Sequence, residues 1–263
     1  MSTLSLGLSR ADRQQFDERG LVRLSGLAPQ RDCEAMADAI WADLARREGV
    51  RRDDRATWTI EGPWGFQAVR NAGVLNAMAT PAVRAVVDAL MGPGGWEEPR
   101  AWGQPLARFP SPGPWALPAK VWHLDLPGGA GAFQTRFGRV FLLLAPVRPR
   151  GGGTLVATGS HRLVTGMTGV AAHRQNSAEA RRRLAARHAW FRELMSEDAA
   201  GPDRIARFMG AETRVDGVAC RVEEMTGEAG DVFLMHPASL HAPSPNVLDQ
   251  PRLALAQTIY PKG

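Results

Sequence analysis

Cysteine is scarce in this chain of 263 residues, since Cys33 and Cys220 are the only two. A pair so far apart in sequence matches no zinc-binding spacing, and isolated thiols are typical of proteins in a reducing compartment. No apolar run approaches the ~20 residues that a membrane-spanning helix needs. The N-terminus also lacks the basic start and the apolar centre of a signal peptide. We therefore expect a cytoplasmic protein that has no membrane partner.

Lysine is equally scarce: Lys120 and Lys262 are the only lysines among 32 basic residues, and the net charge is +5. The densest basic cluster is Arg181-Arg182-Arg183, in a segment with helical periodicity. It matches no nucleic-acid-reading module, and a solvated helix face is the simpler interpretation of such a charge run. We expect a small-molecule substrate, no nucleic acid, and a monomer or small homo-oligomer.

The apolar content is 44%, which is enough for a sizeable core, and no linker-like stretch divides the chain. Residues 1–98 read as mostly helical. Residues 99–263 contain short strand-like runs separated by Gly/Pro-rich turns, which is typical of a sandwich or barrel. A helical, Arg-rich insert is expected over 162–222. The prediction is a single domain over 1–263, mainly β with helical cover.

Residues 121–126, Val-Trp-His-Leu-Asp-Leu, form an apolar run that contains His123 and Asp125. Side chains at positions i and i+2 of a strand leave the same face, roughly 6–7 Å apart along it. An ionised aspartate in an apolar strand is costly unless it is paired or binds a metal. The spacing therefore predicts that both side chains converge on one metal ion, although a histidine taken alone is more often a hydrogen-bonded strand residue.

A third ligand must come from elsewhere, and His241 ends another apolar run. Two histidines and one carboxylate with open positions beside them are the ligand set of non-haem Fe(II) oxygenases. His236 is an alternative third ligand, five residues earlier. The remaining histidines, His161, His173 and His188, are expected at the surface or behind the ligands.

Arg252 opens the last predicted strand and shares one face of it with Ala254 and Ala256. Small neighbours leave room for a ligand, and the planar guanidinium suits a carboxylate. A dicarboxylate such as 2-oxoglutarate would then bind iron at one end and Arg252 at the other. Arg252 as a structural ion-pair partner is the alternative.

Taken together, four phrases of this sequence resemble the phytanoyl-CoA dioxygenase family of Fe(II)/2-oxoglutarate-dependent oxygenases, in the family's order. They are the helix-to-strand phrase 16–27, the Trp-His-Leu-Asp phrase 122–125, the glycine-rich phrase 151–161 ending in Gly-Ser-His, and the span from His241 to Arg252 with Pro-Asn within it. The resemblance covers most of the chain. It implies a double-stranded β-helix (jelly roll, cupin-like) core.

The resemblance also implies roles for individual residues. His123, Asp125 and His241 would bind iron, and Arg252 would hold the distal carboxylate of 2-oxoglutarate. Relatives often have serine two residues after the distal histidine, where this chain has Pro243. Other cosubstrate contacts are expected from a polar strand residue, an aromatic neighbour and a substitute hydroxyl, namely Gln104, Phe141, and Ser244 or Thr154.

The implied activity is hydroxylation of a small molecule by Fe(II), with 2-oxoglutarate and O2 consumed and succinate and CO2 released. Halogenating relatives carry a small residue at the carboxylate position, whereas this chain has Asp125. Lys120 and Arg136 flank the metal motif and are candidates for binding an anionic group of the substrate. Two alternatives are a non-catalytic, cupin-like binder of metal or a small acid, and a zinc hydrolase that uses the same three ligands.

Overall fold

The computed structural model describes residues 7–125, 138–167, 177–197 and 203–262. Within these ranges most of the helices lie in the first third and in the middle of the chain. The α-helices are α1 (Arg10–Arg19), α2 (Gln30–Glu48), α3 (Gln67–Asn71), α4 (Pro81–Met91), α5 (Ser160–Gly166), α6 (Ser177–Arg187) and α7 (Ala189–Leu194). The strands are β1 (Leu21–Leu24), β2 (Gln104–Arg108), β3 (Gly138–Leu143), β4 (Leu155–Thr158), β5 (Thr213–Val215), β6 (Val218–Glu224), β7 (Val232–Met235), β8 (Leu240–Ala242) and β9 (Arg252–Ile259).

Local sequence signals set the ends of the early helices. Ser9 caps α1 by accepting from the backbone N–H of Asp12, whose carboxylate accepts from Ser9 in return. Gly20 ends α1 in the left-handed conformation, at φ 69°. Thr80 caps α4, and proline occupies its first turn, where a missing N–H costs nothing.

The strands form two antiparallel sheets. The larger sheet has the order β1-β7-β3-β9-β2, and the smaller one has the order β5-β6-β4-β8. Their inner faces meet in an apolar cluster in which Phe141, Phe233 and Ala254 of the larger sheet pack with Val156 of the smaller one. Two facing antiparallel sheets with crossing connections are a jelly roll, so the predicted fold class is confirmed.

Helices cover the outer face of each sheet. Outward residues of the larger sheet, among them Leu253 and Leu255, share one core with α2 and α4. Outward residues of the smaller sheet, among them Ala157 and Leu240, share another core with α5, α6 and α7. The alternation along β9 therefore separates the helix-facing leucines from the inward Arg252, Ala254 and Ala256.

Two sequence expectations differ from the structure. The helical insert predicted over 162–222 is shorter, because β5 and most of β6 fall within that range and pair with each other. The strand expected in the apolar run 121–126 is described as far as residue 125. There it is reduced to one isolated bridge, in which His123 pairs with His241. Pro118 precedes this stretch and lacks a backbone donor. None of the helices in the described ranges is long and apolar enough to span a membrane.

Candidate metal centre and adjoining cavity

His123, Asp125 and His241 lie together, with one potential ligand atom from each within 4.8 Å of the other two. The isolated bridge brings the two histidines together, since the His123 N–H donates to the His241 carbonyl at 2.8 Å and the reverse bond is 2.9 Å. Asp125 follows two residues later, and its Oδ2 lies 3.1 Å from His241 Nε2. Within the described ranges, this is the one group of three such side chains close enough to hold a metal ion.

Backbone carbonyls orient both imidazole rings. Nδ1 of His123 lies 3.0 Å from the Val121 carbonyl, and Nδ1 of His241 lies 3.0 Å from the Ser239 carbonyl. A carbonyl can only accept, so each Nδ1 carries a proton, and Nε2 is the nitrogen of each ring that is left to bind a metal ion. The same arrangement fixes the tautomer of metal-binding histidines in proteins. Both rings are therefore set to coordinate through Nε2.

Cations surround the Asp125 carboxylate. Burial acts to raise its pKa, but the hydrogen bond from His241, together with nearby positive charge that includes Arg139, lowers that pKa to about 2. Arg139 Nη1 donates to the same oxygen that faces His241. The Arg139 guanidinium also lies over the Phe141 ring, 5.3 Å from its centroid. The carboxylate is thus held ionised, as a metal ligand must be.

Helix α6 forms hydrogen bonds with residues 122–125, the segment that carries His123 and Asp125 and is called the metal-binding segment below. Ser177 Oγ accepts from the Leu124 N–H at 2.9 Å, and Arg181 Nη1 donates to the Trp122 carbonyl at 2.9 Å. The Trp122 ring is fully buried in the core beneath α6. These bonds give partners to backbone groups of Trp122 and Leu124, on either side of His123, that a longer strand pairing would otherwise satisfy.

One cavity of about 300 Å³ connects the two histidines to Arg252. Residues of four strands, β2, β3, β8 and β9, and of the loop 62–64 form most of its wall. Phe141, Thr154 and Gln104 all line it. A metal ion at the histidines and an anion at Arg252 would therefore occupy a single continuous space.

Arg252 is buried, and neutral backbone groups hold it. Its Nε donates to the Gly152 carbonyl at 2.8 Å and its Nη1 to the Leu106 carbonyl at 3.0 Å. No carboxylate pairs with it within the described part of the chain. Burial, and then the charge of Arg108, lowers its pKa to about 10, which leaves the guanidinium charged at neutral pH. The interpretation of Arg252 as a plain ion-pair partner does not fit these contacts.

A carboxylate near Arg252 lies behind the cavity wall. Burial raises the pKa of Glu224, while hydrogen bonds from the backbone N–H groups of Arg150 and Gly153 oppose that rise. These bonds are 2.7 Å and 2.9 Å long. Ser244 Oγ donates to the Gly153 carbonyl at 2.9 Å and also faces Glu224. Ser244 is buried and does not line the cavity, so Thr154 is the hydroxyl that faces it.

Of the two residues expected to bind an anionic group of the substrate, the structure describes Lys120 but not Arg136. The Lys120 ammonium is exposed and lies 2.5 Å from the Glu197 carboxylate, and Lys120 does not line the cavity. Arg136, like His173, falls outside the described residues. Among the residues that the structure describes, Arg139 is the cation that contacts Asp125.

His236 does not join the triad. Its ring centroid lies 4.9 Å from that of His161 and 6.1 Å from that of Phe16. Its Nδ1 accepts from the Ala238 N–H at 3.1 Å. Burial and then the nearby His161 lower the pKa of His236 to about 3, so the ring is neutral. The structure therefore favours His241 as the third ligand.

Sequence reasoning missed Arg139 and Arg108, which both line the cavity. A signal existed for each: Arg139 stands two residues before Phe141, and Arg108 stands four residues after Gln104. Each arginine therefore shares a strand face with a residue already assigned to the site.

Two facing sheets enclose a cavity lined by two histidines and a buried arginine, and one carboxylate lies against the histidines; this combination is typical of non-haem metal oxygenases. A family model described as "Phytanoyl-CoA dioxygenase (PhyH)" matches residues 16–254. The chain therefore belongs to the phytanoyl-CoA dioxygenase family of Fe(II)/2-oxoglutarate-dependent oxygenases. No curated protein sequence gives a significant match.

Solved structures share the fold at low sequence identity. The non-heme alpha-ketoglutarate-dependent carbocyclase SnoK from nogalamycin biosynthesis is 16% identical, with a TM-score of 0.60 over 100% of this chain and 87% of that one. HygX from Streptomyces hygroscopicus, solved with nickel and 2-oxoglutarate, is 15% identical, with a TM-score of 0.56 over 97% and 88%. EctD from S. alaskensis, solved with 2-oxoglutarate and 5-hydroxyectoine, is 16% identical, with a TM-score of 0.55 over 99% and 78%.

Proposed function

We propose that the protein hydroxylates a small molecule, using Fe(II), 2-oxoglutarate and O2. The observation that carries the proposal is the single cavity that joins the histidines of the triad to Arg252. A dicarboxylate can bind the metal with one end and Arg252 with the other only if one cavity joins the two positions. Metal binding alone would not require a buried cation beyond the ligands.

The donor set fits ferrous iron. His123, Asp125 and His241 would hold the ion through two imidazole nitrogens and one carboxylate, which is the ligand set of Fe(II) oxygenases. Catalytic zinc sites also use three protein ligands, so the preference for iron rests on the family match over residues 16–254. When bound, iron and 2-oxoglutarate supply an oxidation that consumes O2, releases succinate and CO2, and adds a hydroxyl group to the substrate.

Residues of the chain would position the cosubstrate. Arg252 keeps a fixed orientation through its bonds to Gly152 and Leu106, so the rest of its guanidinium can donate to a carboxylate at the end of the cavity. Thr154 can add a hydroxyl contact there, and Phe141 supplies an apolar wall. Gln104 is exposed and lies toward the open side.

The choice of hydroxylation over other oxidations goes beyond membership of the family. Structural neighbours include a carbocyclase and an epimerase as well as EctD, solved with 5-hydroxyectoine. The carboxylate of Asp125 occupies the position that halogenating relatives leave small, which supports an oxygen-transfer outcome. Similar fold and ligands can serve several oxidations, so the product must be identified directly.

The test is an anaerobic titration of iron-free protein with Fe(II) and then 2-oxoglutarate, followed by visible absorption. A weak charge-transfer band that requires both additions, and that is lost in Arg252→Ala, is the expected result. Tight metal binding without such a band would contradict the proposal. Once the band is seen, succinate release and mass spectrometry of products would distinguish a gain of one oxygen from a desaturation or cyclisation.

A further inference from the structure

Two arginines stand directly opposite each other on neighbouring strands. In the β2–β9 register, Arg108 pairs with Arg252, Leu106 with Ala254, and Gln104 with Ala256. Like charges in opposite positions of an antiparallel pair are destabilising. Both arginines line the same cavity. Such a pair is expected where anions are bound beside it.

The two guanidinium groups point to different places. The Arg108 stem lies over Gly152, where an added Cβ would be 2.8 Å from Arg108 Cγ. Its head reaches the loop 62–64, where a Cβ added to Gly62 would lie 3.3 Å from Arg108 Nη1. Arg252 is instead tied to the Gly152 and Leu106 carbonyls. Arg108 therefore presents its charge to another part of the cavity than Arg252 does.

Arg108 lacks a carboxylate partner. No acidic side chain pairs with it among the described residues, and its buried Nε has no hydrogen-bond partner. Arg139, the third arginine of the cavity, differs because it is bound to Asp125. A partly buried guanidinium that is neither paired nor fully hydrogen-bonded is stabilised by an anion.

Binding of the metal and cosubstrate does not change this charge. Fe(II) carries two positive charges and 2-oxoglutarate two negative ones, so together they add none. Three arginines line the cavity, while the nearby carboxylates are those of Asp125 and Glu224. Among the described residues the loaded site keeps an excess of positive charge, and Arg108 is the one of these three arginines with neither a carboxylate partner nor an assigned anion.

Trp64 adds an apolar surface beside Arg108. The ring is 84% exposed, although it belongs to the cavity lining. Exposed tryptophan is unusual in a monomer surface and is enriched where ligands or partners bind. Gly62 and Pro63, the two residues before it, line the same wall. A substrate with a ring or another flat apolar part can lie against Trp64 while its charge meets Arg108.

We propose that the primary substrate is an organic acid, whose carboxylate or phosphate group binds Arg108 while its apolar part contacts Trp64. This inference rests on the proposed function, because it describes the substrate of that site. It assigns Arg108 a role in substrate specificity, separate from the anchoring of 2-oxoglutarate by Arg252.

The experiment uses wild-type protein loaded anaerobically with Fe(II) and saturating 2-oxoglutarate. Phenylacetate, phenyl phosphate and the neutral phenylacetamide are titrated in turn, and binding is followed by calorimetry and by perturbation of the charge-transfer band. At least one anion should bind on the order of tenfold or more tightly than the amide, since charge-assisted hydrogen bonds contribute on that scale. Equal binding of the anions and the amide, or no binding of either anion, would overturn the proposal.

Variants separate the two anion sites. Arg108→Gln should remove the preference for anions and leave the 2-oxoglutarate affinity within about twofold, while Arg108→Lys should keep part of that preference. Trp64→Ala should weaken the anions and the amide alike. Arg31→Gln, which changes an exposed arginine outside the cavity, is the matched charge control and should behave as wild type.

Two outcomes in these variants distinguish the possible failures. If Arg108→Gln weakens 2-oxoglutarate and leaves phenylacetate binding unchanged, Arg108 belongs to the cosubstrate anchor and the inference is wrong. If wild-type protein shows no charge-transfer band, the proposed function itself fails, whatever the aromatic acids do.

Discussion

The His241 Nε2 atom lies 3.1 Å from Asp125 Oδ2, across an isolated bridge that joins two distant parts of the chain. The same oxygen accepts from Arg139. One carboxylate oxygen therefore contacts both the imidazole of His241 and the guanidinium of Arg139. A metal ion at Nε2 would take the place of these partners at Asp125.

Asp125→Asn should abolish turnover, because an amide supplies no charge to a divalent ion and binds it weakly as a neutral oxygen donor. We expect Fe(II) affinity to fall by at least about 100-fold, a greater loss than changes behind the ligands cause. Competition with a colorimetric chelator measures this affinity. Asp38→Asn, at an exposed aspartate on α2, should leave it unchanged. Retained iron affinity in Asp125→Asn would exclude Asp125 as a ligand.

Arg252→Lys should weaken 2-oxoglutarate much more than it weakens iron. One ammonium cannot replace a planar group that already bonds Gly152 and Leu106 and still faces the cavity. We expect an affinity loss on the order of 100-fold, from about 3 kcal/mol of charge-assisted bonding. The charge-transfer titration gives both affinities. Arg148→Lys, at an exposed arginine paired with Glu228, is the control, and an equal loss there would contradict the assigned role.

Ser177→Ala tests the support that α6 gives the metal-binding segment. The substitution leaves the Leu124 N–H without its 2.9 Å acceptor, which costs about 1–2 kcal/mol in the free energy of unfolding. We expect Fe(II) affinity to fall several-fold, because the residue between the two ligands His123 and Asp125 then loses the bond that fixes its backbone. Thr165→Ala removes a hydroxyl that bonds within its own helix and should lower stability without changing iron affinity.

The sequence could predict that the candidate ligands lie together, because ligand chemistry depends on residue type and on near spacing. His123 and Asp125 converge as the i, i+2 rule indicates, even though the strand around them is reduced to one bridge. The alternation of apolar and small residues along β9 likewise predicts that Arg252 and its small neighbours share the inner face. These are local properties of the chain.

The other contacts of the site depend on tertiary structure that spacing does not encode. The opposition of Arg108 and Arg252 requires the β2–β9 register, and the bond from Arg139 to Asp125 requires β3 to lie beside the metal segment. Closeness in sequence to His123 favours Lys120 instead, yet the Lys120 ammonium reaches Glu197 across the surface. Closeness in sequence does not predict which side chains reach the site, because packing sets the direction of each side chain.

The buried pair of His236 and His161 predicts a specific loss of stability in acid. Burial lowers the pKa of His236 to about 3 in the folded protein, whereas an unfolded histidine titrates near 6.5. Between these values the unfolded chain binds a proton that the folded one does not, so folding is destabilised as pH falls below about 6.5. The expected cost is about 2 kcal/mol from pH 7 to pH 5.

His236→Gln removes this titration and keeps an uncharged side chain that can accept from the Ala238 N–H. Its free energy of unfolding, measured by urea denaturation, should be lower than that of wild type at pH 7 because packing against His161 and Phe16 is lost. The gap should narrow toward pH 5, since only the wild type then carries the extra proton penalty. His161 is present in both proteins, and burial lowers its pKa in the wild type mainly without the help of His236. Parallel curves across this pH range would show that His236 is protonated in the folded protein as readily as in the unfolded chain.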